Sequence, residues 1–404
     1  METLSQLITW EGSAGNGTQY TLNGDGIAIQ DEPRFPWRGM LIDSSRNYLT
    51  VSVIKHVLDA LSYSKFNVLH WHLTDKESWP LQSTRYPRFT EEGAYSPSAV
   101  YTHEDVREIV QYAWARGIRV LPEFDMPAHA AIWGAAYPDL AIDCPGDQVL
   151  LNPTGPVYPV FKGLMEEFVP LFNTSDFIHV GGDEVLSYAC WENSPVVQSW
   201  MAANNLHNMS QAREYFENEI FAIVDAAAVT PVVWEEVFYQ NFTVQRNVII
   251  NAWDGAATTN KAVLAGYQVI NNYGHYLDQQ QPPGPDHYLW VDTWQNFYLN
   301  DPLDGTDFNP AQEKQVLGGE MSQWGEQVDA TNIDSRMWPR AAGGAERFWS
   351  PRSFADVTEA AFRLSQHRCR LAQRGVGAGP IRPASDYGYC ELPPNSPWNR
   401  MPEM

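Results

Sequence analysis

Residues 179–185 read His-Val-Gly-Gly-Asp-Glu-Val, so two adjacent acids, Asp183 and Glu184, follow an apolar run and a pair of glycines. In a strand, neighbouring side chains point to opposite faces, which would set one of these carboxylates against a covered sheet. A carboxylate buried there needs a partner or shifts its pKa. The alternative is a helix N-terminus, where the dipole favours acids. The seven residues weigh the two readings evenly.

Other apolar runs end in comparable residues: Arg46, Asp75, His129 within "EFDMPAH", Trp234, Trp253, Tyr276 with Asp278, and Trp324 with Glu326. Any single tryptophan here is ordinary core by burial tendency. Several of them at run ends, beside polar groups, are harder to explain as packing. Apolar ring faces are what the C–H face of a sugar, or an acetamido methyl, packs against. The constellation points to a carbohydrate ligand.

Those residues must be positioned by the elements they terminate. Eight β-rich runs are spaced along the chain at 37–43, 65–75, 118–125, 177–185, 230–237, 248–255, 267–273 and 315–324. Helical patterns or long loops separate them. Val51, Ile54, Val57, Leu58 and Leu61 share one helix face. A helix over 103–116 opens on a Thr102/Asp105 capping box and closes at Gly117. Another runs over 211–228 with Ser210 as N-cap, and the last covers 354–374 before Gly375. The stretch 274–314, rich in Pro, Gln, Trp and Tyr, reads as loops. Alternating strands and helices in this number predict an α/β fold, a (β/α)₈ TIM barrel over 34–404, with 1–33 as a lead-in. Functional residues of such barrels gather at the C-terminal strand ends, where this list falls.

The 404 residues, 44% hydrophobic and 13% aromatic, are ample for one large core. Lys plus Arg number 26 against 49 Asp plus Glu, a formal charge of −23 that repels polyanions and argues against nucleic acid. No apolar run approaches a membrane span, and the N-terminus lacks the basic and apolar regions of a signal peptide. None of the four cysteines forms a CxxC pair, so zinc has no support. An even cysteine count and sequons at Asn16, Asn173, Asn208 and Asn241 favour an oxidising, secretory route. A metal-dependent hydrolase is one rival reading, since "HWH" sets His70 and His72 on one strand face. A catalytically silent carbohydrate-binding barrel is another.

Eight segments carry a resemblance across nearly the whole chain: "RFPWRGMLIDSSRNYL", "KFNVLHWHLTD", "GIRVLPEFDMPAH", "HVGGDEV", "CWENSP", "VVWEEVF", "GGEMSQWGEQVD" and "WPRAAGGAERFWS". In this order they resemble the catalytic domain of a β-N-acetylhexosaminidase of glycoside hydrolase family 20, close to the lysosomal eukaryotic branch. The resemblance implies a retaining, exo-acting enzyme that needs no cofactor and removes terminal β-linked N-acetylglucosamine or N-acetylgalactosamine. Its partners would be amino-sugar glycans or chito-oligosaccharides, its location secreted or lysosomal, and its assembly a possible homodimer. Glu184 would be the general acid/base. Asp183 would orient and charge-stabilise the 2-acetamido group, whose oxygen attacks the anomeric carbon; this family is an exception to the two-carboxylate scheme. Asp183 is then expected to stay ionised, and Glu184 to hold its proton through a raised pKa. Arg46 would bind the 3- and 4-hydroxyls, and Trp234, Trp253 and Trp324 would wall the acetamido pocket. Tyr276 would donate to the acetamido oxygen, Asp278 and Glu326 would take the 4- and 6-hydroxyls, and Asp75 with His129 would tune Glu184. The resemblance also implies the pairs Cys144–Cys190 and Cys369–Cys390. Lys76, where relatives often carry an acid, and "MPAH" in place of "PGH" depart from the pattern. The small α/β domain that usually precedes the barrel is expected to be missing or reduced to one strand.

Overall fold

The computed structural model describes residues 2–10, 20–22, 26–146, 148–239, 242–278, 292–392 and 396. The sequons at Asn16 and Asn241 lie outside the described residues.

Each of the eight runs forms one strand: β1 Trp37–Asp43, β2 Val68–Thr74, β3 Arg119–Phe124, β4 Phe177–His179, β5 Thr230–Trp234, β6 Ile249–Ala252, β7 Gln268–Asn271 and β8 Val316–Gln323. They pair in parallel, each beside its successor in sequence, and β8 closes on β1. The fold is a (β/α)₈ barrel.

The strand sequences explain its layering, because alternate residues face the barrel axis. Trp37, Val68, Leu121, Val232, Ile249 and Ile270 form a separate buried apolar cluster. Two residues further along the same strands stand His70, Glu123, Trp234 and Asn251, with Asn272 just past the end of β7, all buried. The interior therefore changes from apolar to polar toward the C-terminal strand ends. The other strand faces supply Leu69, Trp71, Leu73, Val120, Phe124, Val233 and Ile250 to the main core under the helices. Each large side chain buried there contributes about 1.5–3 kcal/mol.

Helix α1 (Val51–Tyr63) buries Ile54, Val57, Leu58 and Leu61 and is capped by Thr50. Helix α2 (His103–Trp114) carries the expected Thr102/Asp105 capping box. Helix α3 (Met209–Ala226) starts earlier than its sequence pattern, because the side chain of Asn208, not Ser210, accepts from Gln211 N–H. The last long helix, α5 (Val357–Gln373), has Asp356 as its N-cap. Between β7 and β8, the stretch read as loops also holds short helices at Trp294–Leu299 and Pro310–Glu313. The lead-in contains a short helix, Glu2–Ser5, and an antiparallel pair of strands, Ile8–Trp10 with Tyr20–Leu22. It joins the barrel where Arg34 N–H donates to the Trp349 carbonyl at 2.9 Å, at the end of helix α4 (Arg340–Trp349).

Both implied cysteine pairs are bonded, Cys144–Cys190 with Cα atoms 4.4 Å apart and Cys369–Cys390 at 5.4 Å. The first ties the segment after β3 to the short helix Ala189–Asn193 after β4.

Candidate active site

Strand β4 stops at His179, short of the run that predicted it. The cause lies in the next residues: Gly181 and Gly182 take φ of +68° and +106°, a region closed to most side chains. A Cβ on Gly181 would sit 1.7 Å from Asp125 Oδ1, and one on Gly182 2.4 Å from Val237 Cγ2. Glu184 is itself left-handed, at φ +46°. Helical structure resumes only at Ala189. The Asp183–Glu184 pair therefore occupies neither a strand nor a helix N-terminus, but a turn whose glycines aim the two carboxyls into unlike surroundings. Asp183 has 12% of its side chain exposed, Glu184 50%.

Both face a cavity of about 260 Å³ lined by Arg46, His129, Asp183, Glu184, Trp234, Trp253, Tyr276, Trp324 and Glu326. These residues come from seven different strand ends, and closure of the barrel alone brings them together. Trp234 and Trp324 pack at 6.0 Å between ring centroids, and Trp253 and Tyr276 at 6.4 Å. Asp75 lies behind the lining, fully buried, and Asp278 stands half-buried without lining the cavity. Lys76 is 56% exposed, 3.7 Å from Glu77, and lies outside the lining set.

A continuous polar chain backs the cavity. His129 stands 3.4 Å from Glu184 Oε2 and 3.6 Å from Asp183 Oδ2 through Nε2. Its Nδ1 meets Asp75 Oδ1 at 3.0 Å. The other Asp75 oxygen takes Arg46 Nη2 at 2.6 Å and His72 Nε2 at 3.0 Å. His72 Nδ1 meets Glu123 Oε2 at 2.5 Å, and Glu123 Oε1 accepts from Trp234 Nε1 at 2.8 Å. The chain thus runs from Glu184 at the mouth to a tryptophan of the wall. Arg46 is further held by Asp43 at 3.2 Å and Glu77 at 3.3 Å, and its guanidinium lies 5.2 Å over the Trp324 ring.

Electrostatics follow from this packing. Burial opposes a charge on His129, but Asp75, Asp125 and Asp183 outweigh it and raise its pKa well above the usual imidazole range. Burial would push Asp75 up, yet His129 and Arg46 hold it well below the carboxylate range. The carboxyl pair does not follow the expectation for a proton-bearing Glu184 and an ionised Asp183. The hydrogen bond from His129 draws Glu184 down, because half of that side chain is in water and burial is too weak to compensate. Burial, with the charges of Glu123 and Glu184, pushes Asp183 up. Burial and Asp183 likewise push Asp125 well up. Burial keeps the Tyr276 hydroxyl protonated, its pKa well above the usual phenol value.

Sequence reading missed His72, Glu123, Asp125 and Glu77 as parts of this site. For His72, Glu123 and Asp125 the signal was the placement of polar residues at alternate positions of otherwise apolar runs, as in "HWH" and "PEFD"; Glu77, in the loop after β2, carried none. His70 and His72 do share a strand face, and it is the barrel interior. His70 Nδ1 meets Glu320 of β8 at 2.8 Å and its Nε2 lies 3.1 Å from Glu123 of β3, so this imidazole faces two carboxylates inside the barrel.

The model for glycosyl hydrolase family 20, catalytic domain, matches residues 35–352. The chain belongs to glycosyl hydrolase family 20. It is 36% identical to β-hexosaminidase subunit A1 of Dictyostelium discoideum, over 97% of this chain and 72% of the relative. It is 37% identical to the human β-hexosaminidase subunit beta, over 96% of this chain and 68% of the relative. Among solved structures, the Flavobacterium johnsoniae chitobiase superposes with a TM-score of 0.80 at 31% identity, covering 93% of this chain and 56% of that one. The Vibrio harveyi exo β-N-acetylglucosaminidase, in complex with N-acetylglucosamine, gives 0.82 at 25%, with 94% and 63% covered. This family 20 barrel thus spans less than two thirds of those two bacterial chains.

Proposed function

We propose that this family 20 barrel is a retaining, exo-acting β-N-acetylhexosaminidase that removes terminal β-linked N-acetylglucosamine or N-acetylgalactosamine by substrate-assisted catalysis. The observation that carries the reading is a pair of unlike carboxyls, one buried and one half in water, at the edge of an indole-walled cavity. At about 260 Å³ the cavity lies at the small end of ligand sites and suits a single terminal sugar.

Glu184, at the open side, protonates the departing glycosidic oxygen and later activates water. Asp183 accepts the acetamido N–H, and its charge balances the oxazolinium formed when the acetamido oxygen attacks C1. Holding that amide beside C1 gives the rate its proximity term. Trp234, Trp253 and Trp324 enclose the acetamido group, and Tyr276 donates to its oxygen. Arg46 forks onto the 3- and 4-hydroxyls, and Glu326 with Asp278 receives the 4- and 6-hydroxyls. A bound sugar covers the exposed half of Glu184, which raises its pKa, and brings an N–H to Asp183, which lowers that one. Sugar binding would therefore reverse the order of the two carboxyls. His129 and Asp75 hold Glu184 in place.

The natural substrates we infer are amino-sugar glycans or chito-oligosaccharides. A secretory or lysosomal route is supported by two bonded cysteine pairs and by sequon residues Asn173 and Asn208, both exposed.

Turnover of an aryl N-acetyl-β-glucosaminide, with the first product in the β configuration, tests the activity. Intact-protein mass spectrometry after exposure to a 2-fluoro sugar tests the nucleophile. No adduct is expected, whereas a stoichiometric one on Glu184, Glu326 or Asp278 would make a protein carboxylate the nucleophile.

A further inference from the structure

Strand β5 ends at Trp234 and is followed by a second adjacent acid pair, Glu235 and Glu236. The two carboxyls grip one residue from two sides. Glu235 Oε2 accepts the backbone N–H of Trp253 at 2.9 Å, while Glu236 Oε2 accepts its indole Nε1–H at 3.0 Å. The other oxygen of Glu236 lies 3.5 Å from the backbone nitrogen of Glu184, whose φ is +46°. Trp253 lines the cavity and Glu236 does not; it stands one layer behind.

We propose that Glu236 is a positioning residue that fixes the Trp253 indole and the Glu184 backbone together, and so sets the size of acyl group the pocket accepts. The proposal rests on the acetamido pocket inferred above. An indole on a single χ1/χ2 pair can swing, and a hydrogen bond at Nε1 removes that freedom where the ring edge meets the acyl group. The contact at Glu184 N–H supports a backbone conformation that non-glycine residues rarely adopt. The charges acting most strongly on Glu236 are those of the neighbouring acids Asp183 and Glu235, and Tyr276 is close enough to feel Glu236 in turn. Burial first, then the charge of Asp183, pushes its pKa up to about 8.

The test compares aryl glycosides that carry N-acetyl and N-propionyl groups, which differ by one methylene. The wild type should favour N-acetyl in kcat/KM by about 10–200-fold, the range one methylene supplies in a tight pocket. Glu236→Ala should lower that ratio by about tenfold or more while remaining folded, and Glu236→Gln, which keeps an acceptor for Trp253, should hold it within about threefold. If the Ala variant does not fold, Glu236→Asp, one methylene too short to reach both contacts, carries the same prediction. A folded Ala or Asp variant with the wild-type ratio overturns the proposal, and so does a Gln variant as unselective as Ala. A wild type that turns over neither glycoside, or does not distinguish them, counts instead against the pocket reading itself.

Discussion

His129 is the residue on which the protonation of the site turns. Its hydrogen bond is the largest influence holding Glu184 down, and its charge also lowers Asp183. Removing that cation lets Glu184 rise, so the pH at which kcat/KM falls as the acid loses its proton should move upward in His129→Ala. Measured pH profiles on an aryl substrate decide this; a limb that stays put or moves down contradicts it. Glu184→Gln should reduce turnover of substrates with poor leaving groups by about two to four orders of magnitude, as loss of a general acid implies. Activated aryl substrates, which need less protonation, should lose less. Equal losses on both would remove Glu184 from the acid role.

At the scale of elements, the turn after β4 does what neither a strand nor a helix could. Gly181→Ala places a methyl 1.7 Å from Asp125 Oδ1 and forces φ +68° on a residue that resists it. The strained backbone alone costs about 1–3 kcal/mol, and relieving the clash must move either Asp125 or the acid pair. The variant should therefore lose activity together with thermal stability. Full activity at unchanged Tm would show that the turn tolerates a side chain. The disulfides act on larger spans. Loss of either should cost about 2–4 kcal/mol, and the chain-entropy model puts the longer loop ahead by about 0.7 kcal/mol, since the pairs close separations of 46 and 21 residues. Denaturant unfolding of Cys→Ser double variants measures both, and non-reducing peptide maps with free thiols or crossed pairs would refute the pairing.

For the whole molecule, the polar layer inside the barrel makes stability depend on pH in a definite sense. Asp75 is depressed below its ordinary 3.8, so its contribution is present above that value and is lost as pH falls through its folded pKa. His70 and His72 are raised despite burial, by Glu320 and Glu123 for His70 and chiefly by Glu123 for His72. Their contribution is complete below the ordinary 6.5 and is lost as pH rises, for His70 through about 9. Maximal stability should therefore lie between about pH 4 and 6.5. A Tm that keeps climbing from pH 6.5 to 9 would show that these imidazoles are neutral in the folded protein.

The eight strands were legible in the chain because β-rich apolar runs, and the glycine and capping signals of the helices between them, are local. The tryptophans and acids at their ends were legible because barrel topology fixes which end carries function. The family pattern supplied the pairing of the cysteines, which composition alone left open. Other features depended on contacts between strands far apart in sequence. No local signal shows that Glu123 holds Trp234 across 111 positions, or that His129 draws Glu184 down while burial lifts Asp183. The sequence supplied two adjacent carboxyls of like intrinsic acidity. Barrel closure gave one of them water and an imidazolium, and the other a low-dielectric wall; only that three-dimensional difference makes them unlike.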